Sequence, residues 1–400
     1  MSSVFYKSVL DLEFRSNRCY DLVPFDHLST AYREAYADLQ KDPDFFGILL
    51  PKNHTTLGVK SACRNVASLF YSLQEAGPLP HDVKSALKKT GEGSVRELVL
   101  DGILEMKWNG AFLSGADAHP FICESTLSVS AKDPLAELSI AALTYAQNLE
   151  INEAASLSAR LYFYNRMPVT PEWKAMFSST DSILRHVTPS GGVNQDVLEK
   201  HWAKVSKRPS HDGWMVWQSR QKRASLSEST GTYKLYLSPH CEFLQEAFSA
   251  MVDVLTEVKV PIFKIGSDVY GMLRPDKMVA YFTNYEELQE TAHKIGQKLQ
   301  GCPAHGVPFT SNLAGDGLLS WGVDPPKEHQ QVLGWQERQS WRLWLTNRLA
   351  TYLLLAKTAH SGHLEPWQFA LDRLRMDGVD TENWRPLQTI WEKGWSREEE

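Results

Sequence analysis

Four cationic residues stand in segments that otherwise carry apolar, strand-forming side chains. They are Arg160 in SARLYFY, Lys234 in TYKLYL, Lys264 in IFKIG and Arg274 in MLRPDK. The alternation of a half-buried strand would let any one of them point to solvent. If the four share one face, they form a positive cavity for an anion, in which arginine offers a planar fork that matches phosphate. The pattern therefore indicates a candidate anion site.

Two further segments carry candidate ligand contacts. Residues 301–326 are rich in glycine and proline, carry His305 and Thr310, and are predicted to form an irregular loop without core secondary structure. Polar loops on a rigid scaffold often carry function, although a long surface connection is the alternative. Arg338 and Arg342 lie four residues apart and so share one face of a predicted helix, where solvation is the alternative to ligand contact.

The elements that must position these residues divide the chain in two. Residues 1–155 are predicted to be mainly helical, with a hairpin at 103–115 whose Asn109-Gly110 turn tolerates positive φ angles. We interpret this region as a surface for recognising a partner or a leader peptide. The predicted helices of this region span 27–42, 56–77 and 133–150.

Residues 156–400 are predicted to form an α+β domain, with a mixed or antiparallel sheet flanked by helices. Short aromatic and β-branched segments predict the strands, which are LSARLYFYNRM, GWMVWQS, GTYKLYLSP and the two strands of VPIFKIGSDVYGMLRPDKMVAYF. The predicted helices span 242–258, 285–301, 335–359 and 366–377.

Composition narrows the class of protein. The 400 residues include 42% hydrophobic and 22% charged residues, with a net charge of -6, which argues against a general nucleic-acid binder. The five cysteines are scattered without a CxxC pair, so neither disulfides nor a zinc site is expected. Neither a signal peptide nor an apolar run of about 18 residues is present, which predicts a cytoplasmic protein without a membrane span.

The order of motifs over residues 231–380 resembles a known family. YKLYLSP, VPIFKIG, YGMLRPDKMVAYF, GVPFTSNLAGDGLLSWG, ERQSWR and GVD follow one another as in the HopA-type type III effector family. That family also includes the stand-alone lyase subunits of class V lanthipeptide synthetases. The resemblance implies a phosphoserine/phosphothreonine lyase, which removes phosphate by β-elimination and leaves dehydroalanine or dehydrobutyrine. It implies no metal and no organic cofactor.

The resemblance also implies roles for residues of the candidate site. Lys264 would be the base, because burial and neighbouring cations make a lysine neutral near pH 7. Either His305 or Tyr281 would protonate the leaving oxygen, since the arginine-bearing helix lacks the family's FGxHR. Asp276 would orient Arg274. The residues expected around the phosphate or substrate are Arg160, Lys234, Arg274, Thr310, Arg338 and Arg342.

The expected partner is a phosphorylated precursor peptide, together with the kinase subunit that would phosphorylate it. Two other hypotheses fit the same residues. The chain could bind a phosphopeptide or leader peptide without catalysis, holding the phosphate in the same pocket. It could also be a secreted type III effector that acts inside a host cell.

Overall fold

The structure is a computed structural model and describes residues 9–52, 57–90, 93–123, 133–188, 193–205, 213–221, 232–325, 339–360 and 362–387. Within these ranges the protein is α+β, as the sequence predicts, and its strand pairs are antiparallel. None of the helices in these ranges is both long and apolar enough to cross a membrane.

The first part of the chain contains more strand than the sequence predicts. Its strands are β1 (Glu13–Ser16), β2 (Tyr20–Pro24), β3 (Phe45–Pro51), β4 (Lys60–Cys63), β5 (Gly77–Pro78), β6 (Leu104–Trp108) and β7 (Ala111–Leu113). Its helices are α1 (Thr30–Ala35), α2 (Arg64–Ser72), α3 (His81–Thr90), α4 (Gly93–Leu100), α5 (Gly115–Ile122), α6 (Pro134–Gln147) and α7 (Ala154–Tyr162). Short 3-10 helices lie at Val9–Asp11, Phe25–His27 and Ala37–Lys41.

These strands form two small sheets, in the orders β5-β1-β6-β7 and β2-β3-β4. The prediction of a mainly helical region is therefore wrong for residues 13–16, 20–24, 45–51 and 60–63, which form strands. The helix predicted for 133–150 is confirmed by α6, and the hairpin by β6 and β7. Asn109 and Gly110 at its turn have φ angles of 49° and 85°, the positive values that this dipeptide tolerates.

The second part of the chain is built around a larger sheet. Its strands are β8 (Trp202–Lys204), β9 (Trp214–Ser219), β10 (Tyr233–Leu237), β11 (Ile262–Gly266), β12 (Met278–Phe282), β13 (Ser311–Asn312), β14 (Leu319–Val323), β15 (Val379–Asp380) and β16 (Arg385–Pro386). Its helices are α8 (Pro171–Met176), α9 (Thr180–Val187), α10 (Val193–His201), α11 (Leu244–Glu257), α12 (Val269–Met272), α13 (Tyr285–Lys298), α14 (Trp341–Lys357) and α15 (Pro366–Met376), with a 3-10 helix at Cys241–Phe243.

Seven strands make this sheet, in the order β13-β14-β10-β12-β11-β9-β8. One face carries Leu235, Phe263 and Ala280, which pack in one core with Phe248 of α11 and Ile295 of α13. Successive strand residues point to opposite faces. The residues that alternate with this core therefore share the other face, which holds the candidate site.

Two sequence predictions about this region are wrong. The segment around Arg160 is not a strand but helix α7, because Leu157 and Leu161, four residues apart, are both buried on one helical face. The segment 301–326 is not free of core structure, because β14 lies inside it and all five of its residues are buried. Its Gly322 lies so close to Trp341 of α14 that an added Cβ would stand 2.3 Å from the indole ring.

The core of the first part includes residues from the end of the chain. Leu143 and Leu157 belong to the same buried cluster as Leu345, Leu353 and Phe369, so α14 and α15 pack against α6 and α7. The division at residues 155 and 156 remains a prediction, and this packing crosses it. The same helix, α14, also contacts the large sheet at Gly322 of β14.

Candidate active site

Lys264 lies half-buried on the face of the large sheet that faces away from α11 and α13. Its ammonium nitrogen is 3.9 Å from the centroid of the Trp214 ring and 5.6 Å from that of Tyr281. The register pairs Lys264 with Val279, and Lys234 with Tyr281, so these side chains project from neighbouring strands on one side. Burial, and after it the charge of the nearby Lys234, lower the pKa of Lys264 from 10.5 to about 7.

Arg274 is held by Asp276 in a two-pronged ion pair. Its Nε donates to Oδ1 at 2.8 Å and its Nη2 to Oδ2 at 2.9 Å, while Nη2 also donates to the Tyr162 hydroxyl at 3.1 Å. Its guanidinium carbon lies 4.7 Å from the centroid of the Trp214 ring, which also contacts Lys264. Nη1 has no hydrogen-bond partner within the described ranges. This nitrogen is therefore available to an anion, and the charge of Arg274 lies near enough to Lys264 to lower its pKa.

Asp276 is buried, with 5% of its side chain exposed, and pairs with two arginines. Burial by itself would raise its pKa, but the charges of Arg274 and Arg342 hold that pKa well below its usual range. The residue thus remains a carboxylate. This geometry agrees with an orienting role for Asp276.

Arg342 is placed where it cannot reach a ligand without moving. Its side chain is 1% exposed, and its Nη1 lies 2.8 Å from Asp276 Oδ2. Nε donates to the Pro308 carbonyl at 3.1 Å and Nη2 to the Tyr162 carbonyl at 2.8 Å. Arg342 thus pairs with Asp276, which in turn pairs with Arg274, and its contact with phosphate stays a prediction.

Lys234 also has a carboxylate partner. Its ammonium nitrogen lies 2.5 Å from Asp324 Oδ1, and the same oxygen accepts the backbone N–H of Trp341 at 3.1 Å. Asp324 therefore joins the end of β14 to the first turn of α14 and offsets the charge of Lys234. Lys234 contributes to the positive potential around Lys264 more weakly than an unpaired cation would.

Both ring nitrogens of His305, one of the two residues expected as the acid, form hydrogen bonds within the protein. Its Nε2 donates to the Asn165 carbonyl at 2.6 Å, and its Nδ1 accepts from the buried ammonium of Lys277 at 2.7 Å. Burial lowers the pKa of His305 to about 3, with Lys277 as the next cause. Near neutral pH it is an uncharged imidazole with both nitrogens occupied, which is a poor proton donor.

Four predicted site residues remain, and they do not share one environment. They are Tyr281, Thr310, Arg160 and Arg338. Tyr281 lies on the same face as Lys264, and burial raises its pKa well above the usual value, so its hydroxyl keeps its proton. Thr310 is fully buried, with its hydroxyl donating to the Val307 carbonyl, which is a structural contact. Arg160 is exposed on α7, off the buried helical face, and is not brought to the group. Arg338 lies outside the described residues.

Three side chains of the site were missed from the sequence. They are Trp214, whose ring contacts both Lys264 and Arg274; Tyr162, whose hydroxyl contacts Arg274; and Asp324. The alternation of WMVWQS puts Trp214 and Val216 on one side of β9, but it does not indicate which side of the sheet α11 and α13 cover. For Tyr162 and Asp324, the local sequence carries no signal, because their partners lie more than 80 residues away.

The charges around Lys264 lead to a prediction about its pKa. Lys234→Met removes a cation, so the pKa of Lys264 is expected to rise, whereas Asp324→Asn removes an anion and is expected to lower it. Each shift should be about half a unit to one unit. NMR measures both pKa changes from the 15N chemical shift of Lys264 Nζ as a function of pH. The Lys264→Arg variant assigns this resonance. Shifts in the same direction in the two variants would contradict this picture of the site.

Comparison with known proteins adds only distant similarities. No protein-family model and no curated protein matches the chain. An effector protein from Pseudomonas syringae pv. tomato strain DC3000 is 13% identical, with a TM-score of 0.40 over 64% of this chain and 98% of that one. An effector protein from Pseudomonas syringae pv. syringae strain 61 is 12% identical, with a TM-score of 0.36 over 63% of this chain and 98% of that one.

A third solved structure is the type III effector/phosphothreonine lyase OspF from Shigella flexneri. It is 13% identical, with a TM-score of 0.27 over 38% of this chain and 88% of that one. Because all three TM-scores are below 0.5, these similarities carry no argument for this chain.

Proposed function

We propose that this protein is a phosphoserine/phosphothreonine lyase, in which Lys264 is the base and Arg274 binds the phosphate. The observation that carries the proposal is the placement of a half-buried lysine, with a pKa of about 7, against the same indole ring as an arginine whose Nη1 has no partner in the described ranges. Elimination needs a neutral base at the α-carbon and a cation at the leaving phosphate. Both side chains contact the ring of Trp214.

The proposed step uses these two groups as follows. Neutral Lys264 takes the α-proton of the phosphorylated residue and becomes an ammonium. The electrons of the broken C–H bond form the double bond between the α- and β-carbons, and the bond from the β-carbon to oxygen breaks. Phosphate leaves with that bonding pair, and Arg274 offsets its charge. The Lys264 ammonium rests on the Trp214 ring, where a cation is favoured, and then releases its proton to water.

The resemblance of residues 231–380 to the HopA-type family supports this reaction class, and it extends the proposal to the substrate. The substrate would be a precursor peptide that a kinase has phosphorylated on serine or threonine, as in lanthipeptide biosynthesis. The side chains assigned here need no metal ion or organic cofactor for proton abstraction or for binding of the leaving group. No general acid is assigned, because phosphate is a stable leaving group once Arg274 neutralises part of its charge.

Incubation with a phosphoserine peptide tests the reaction directly. The expected product lacks one phosphoric acid by mass and forms an adduct with added thiol, because dehydroalanine accepts nucleophiles and serine does not. Hydrolysis would instead restore serine, which gives no adduct. The matching unphosphorylated peptide is the control. Recovery of bound but intact phosphopeptide would contradict the lyase and favour the non-catalytic binding module.

A further inference from the structure

A concave site lies at the end of the small sheet β2-β3-β4, where it meets helix α2. This groove has a volume of about 690 Å³ and is lined by residues that include Phe25, Phe45, Phe46 and Tyr71. Pockets of this size hold a ligand or a short peptide segment. Phe25 and Phe45 pack edge to face at 5.8 Å between ring centroids, and Phe46 and Tyr71 do so at 6.1 Å. We refer to it as the aromatic groove.

A β-bulge explains why two consecutive residues line the same groove. Neighbouring side chains on a regular strand point to opposite faces, but the register of β3 against β4 shifts between Phe45 and Gly47. Bulges of this kind re-aim a side chain. Gly47 allows the close approach of β2, because an added Cβ would stand 2.3 Å from the Val23 carbonyl oxygen. The aromatic lining is therefore built into the backbone of the sheet.

The rim of the aromatic groove is acidic. Asp26 and Asp42 are exposed lining residues, and within the described ranges neither forms an ion pair. Asp42 is held in place by accepting the backbone N–H of Asp44 at 2.9 Å. Arg64 also lines the groove, so the charged lining residues carry one negative charge in excess. Tyr71 remains 46% exposed beside them.

Aromatic faces beside unpaired carboxylates match the chemistry of a cationic side chain. A lysine or arginine is attracted both by the ring faces and by the carboxylates, while its aliphatic stem packs on the aromatic lining. We propose that the aromatic groove binds a peptide segment that carries a lysine or arginine next to apolar residues. Such a site would hold a basic part of a peptide or protein partner away from the Lys264 face. It goes beyond the proposed lyase activity and does not depend on it.

Fluorescence anisotropy with the full chain tests this proposal without any turnover. The probes are fluorescein-labelled peptides Gly-Gly-Leu-Xaa-Leu-Gly-Gly, in which Xaa is lysine, arginine, norleucine or glutamate. The lysine and arginine peptides are expected to bind about tenfold tighter than the norleucine peptide, and the glutamate peptide more weakly still. Raising the salt concentration should reduce this preference, because the rim carboxylates are exposed.

Substitutions of lining residues test whether the peptides bind in the aromatic groove. Asp42→Asn combined with Asp26→Asn should remove most of the preference for a cation, whereas Tyr71→Ala should weaken every peptide and Tyr71→Phe should restore binding. Asp38→Asn is the matched control, because Asp38 is also exposed in this region but pairs with Lys41 and does not line the groove. Equal affinity for the lysine and norleucine peptides, unchanged binding in the double variant, or no binding by any probe would each overturn the proposal.

Discussion

Lys264→Met is expected to lower kcat/KM for a phosphoserine peptide by about 10²–10⁴-fold, the usual contribution of a general base. Methionine keeps the length and apolar contacts of the side chain against Trp214 but cannot take a proton. Single-turnover elimination, followed by thiol trapping and mass spectrometry, measures the loss. Arg274 is untouched, so phosphopeptide binding should persist in the variant.

The matched control is Lys298→Met, which removes a lysine from the surface of α13, where it pairs with Asp253. This variant should retain the activity of the unchanged protein. Full elimination activity in Lys264→Met would remove Lys264 from the base role. Equal loss in both variants would show that the effect is not specific to the site.

Lys264→Met should also be more stable than the unchanged protein at pH 7. The pKa of Lys264 falls from 10.5 to about 7 in the folded protein because burial disfavours the ammonium. Between these two values the unfolded chain binds more protons than the folded one, so the stability of the unchanged protein rises with pH across this window. Lys264→Met removes the burial cost, and we expect a gain of about 1–2 kcal/mol in the free energy of unfolding at pH 7.

Among the predicted variants, Asp276→Ala is expected to lose the most stability, about 3–5 kcal/mol in the free energy of unfolding. Arg342 is 1% exposed, and Asp276 is its only acidic partner in the described ranges. The substitution leaves the buried guanidinium of Arg342 without a carboxylate partner and releases Arg274 from its two-pronged ion pair. Urea denaturation followed by circular dichroism measures the change, and elimination activity should fall with it.

Asp253→Ala provides the matched control, because it breaks an ion pair with the half-exposed Lys298. Exposed pairs contribute about 0–1 kcal/mol, so this variant should lose little. In the double variant Asp276→Ala/Arg342→Met the buried charge is gone, and part of the lost stability should return. A cost below about 1 kcal/mol for Asp276→Ala, or strictly additive effects in the double variant, would contradict the proposed role of this pair.

Much of the large sheet could be predicted from local patterns. The strands around Lys234, Lys264 and Tyr281 are where the alternation places them, and α11, α13 and α15 match their predicted spans closely. These signals are local, because side-chain period and helical amphipathicity are set within one element. The sequence around Arg160 predicts a strand because its aromatic content is typical of strands, while its buried leucines, four residues apart, follow the helical period.

The amino-acid order alone determined that Lys234 and Tyr281 could stand on alternating positions of strands, and that Arg274 and Asp276 would be close neighbours. It did not determine which face of the sheet α11 and α13 would cover, or which buried charges would meet. Arg342 pairs with Asp276, which lies 66 positions away in the chain, and Lys277 donates a hydrogen bond to His305 Nδ1. Such pairings arise because burying a charge is costly unless folding brings it a partner, and that partner is selected by packing between distant segments.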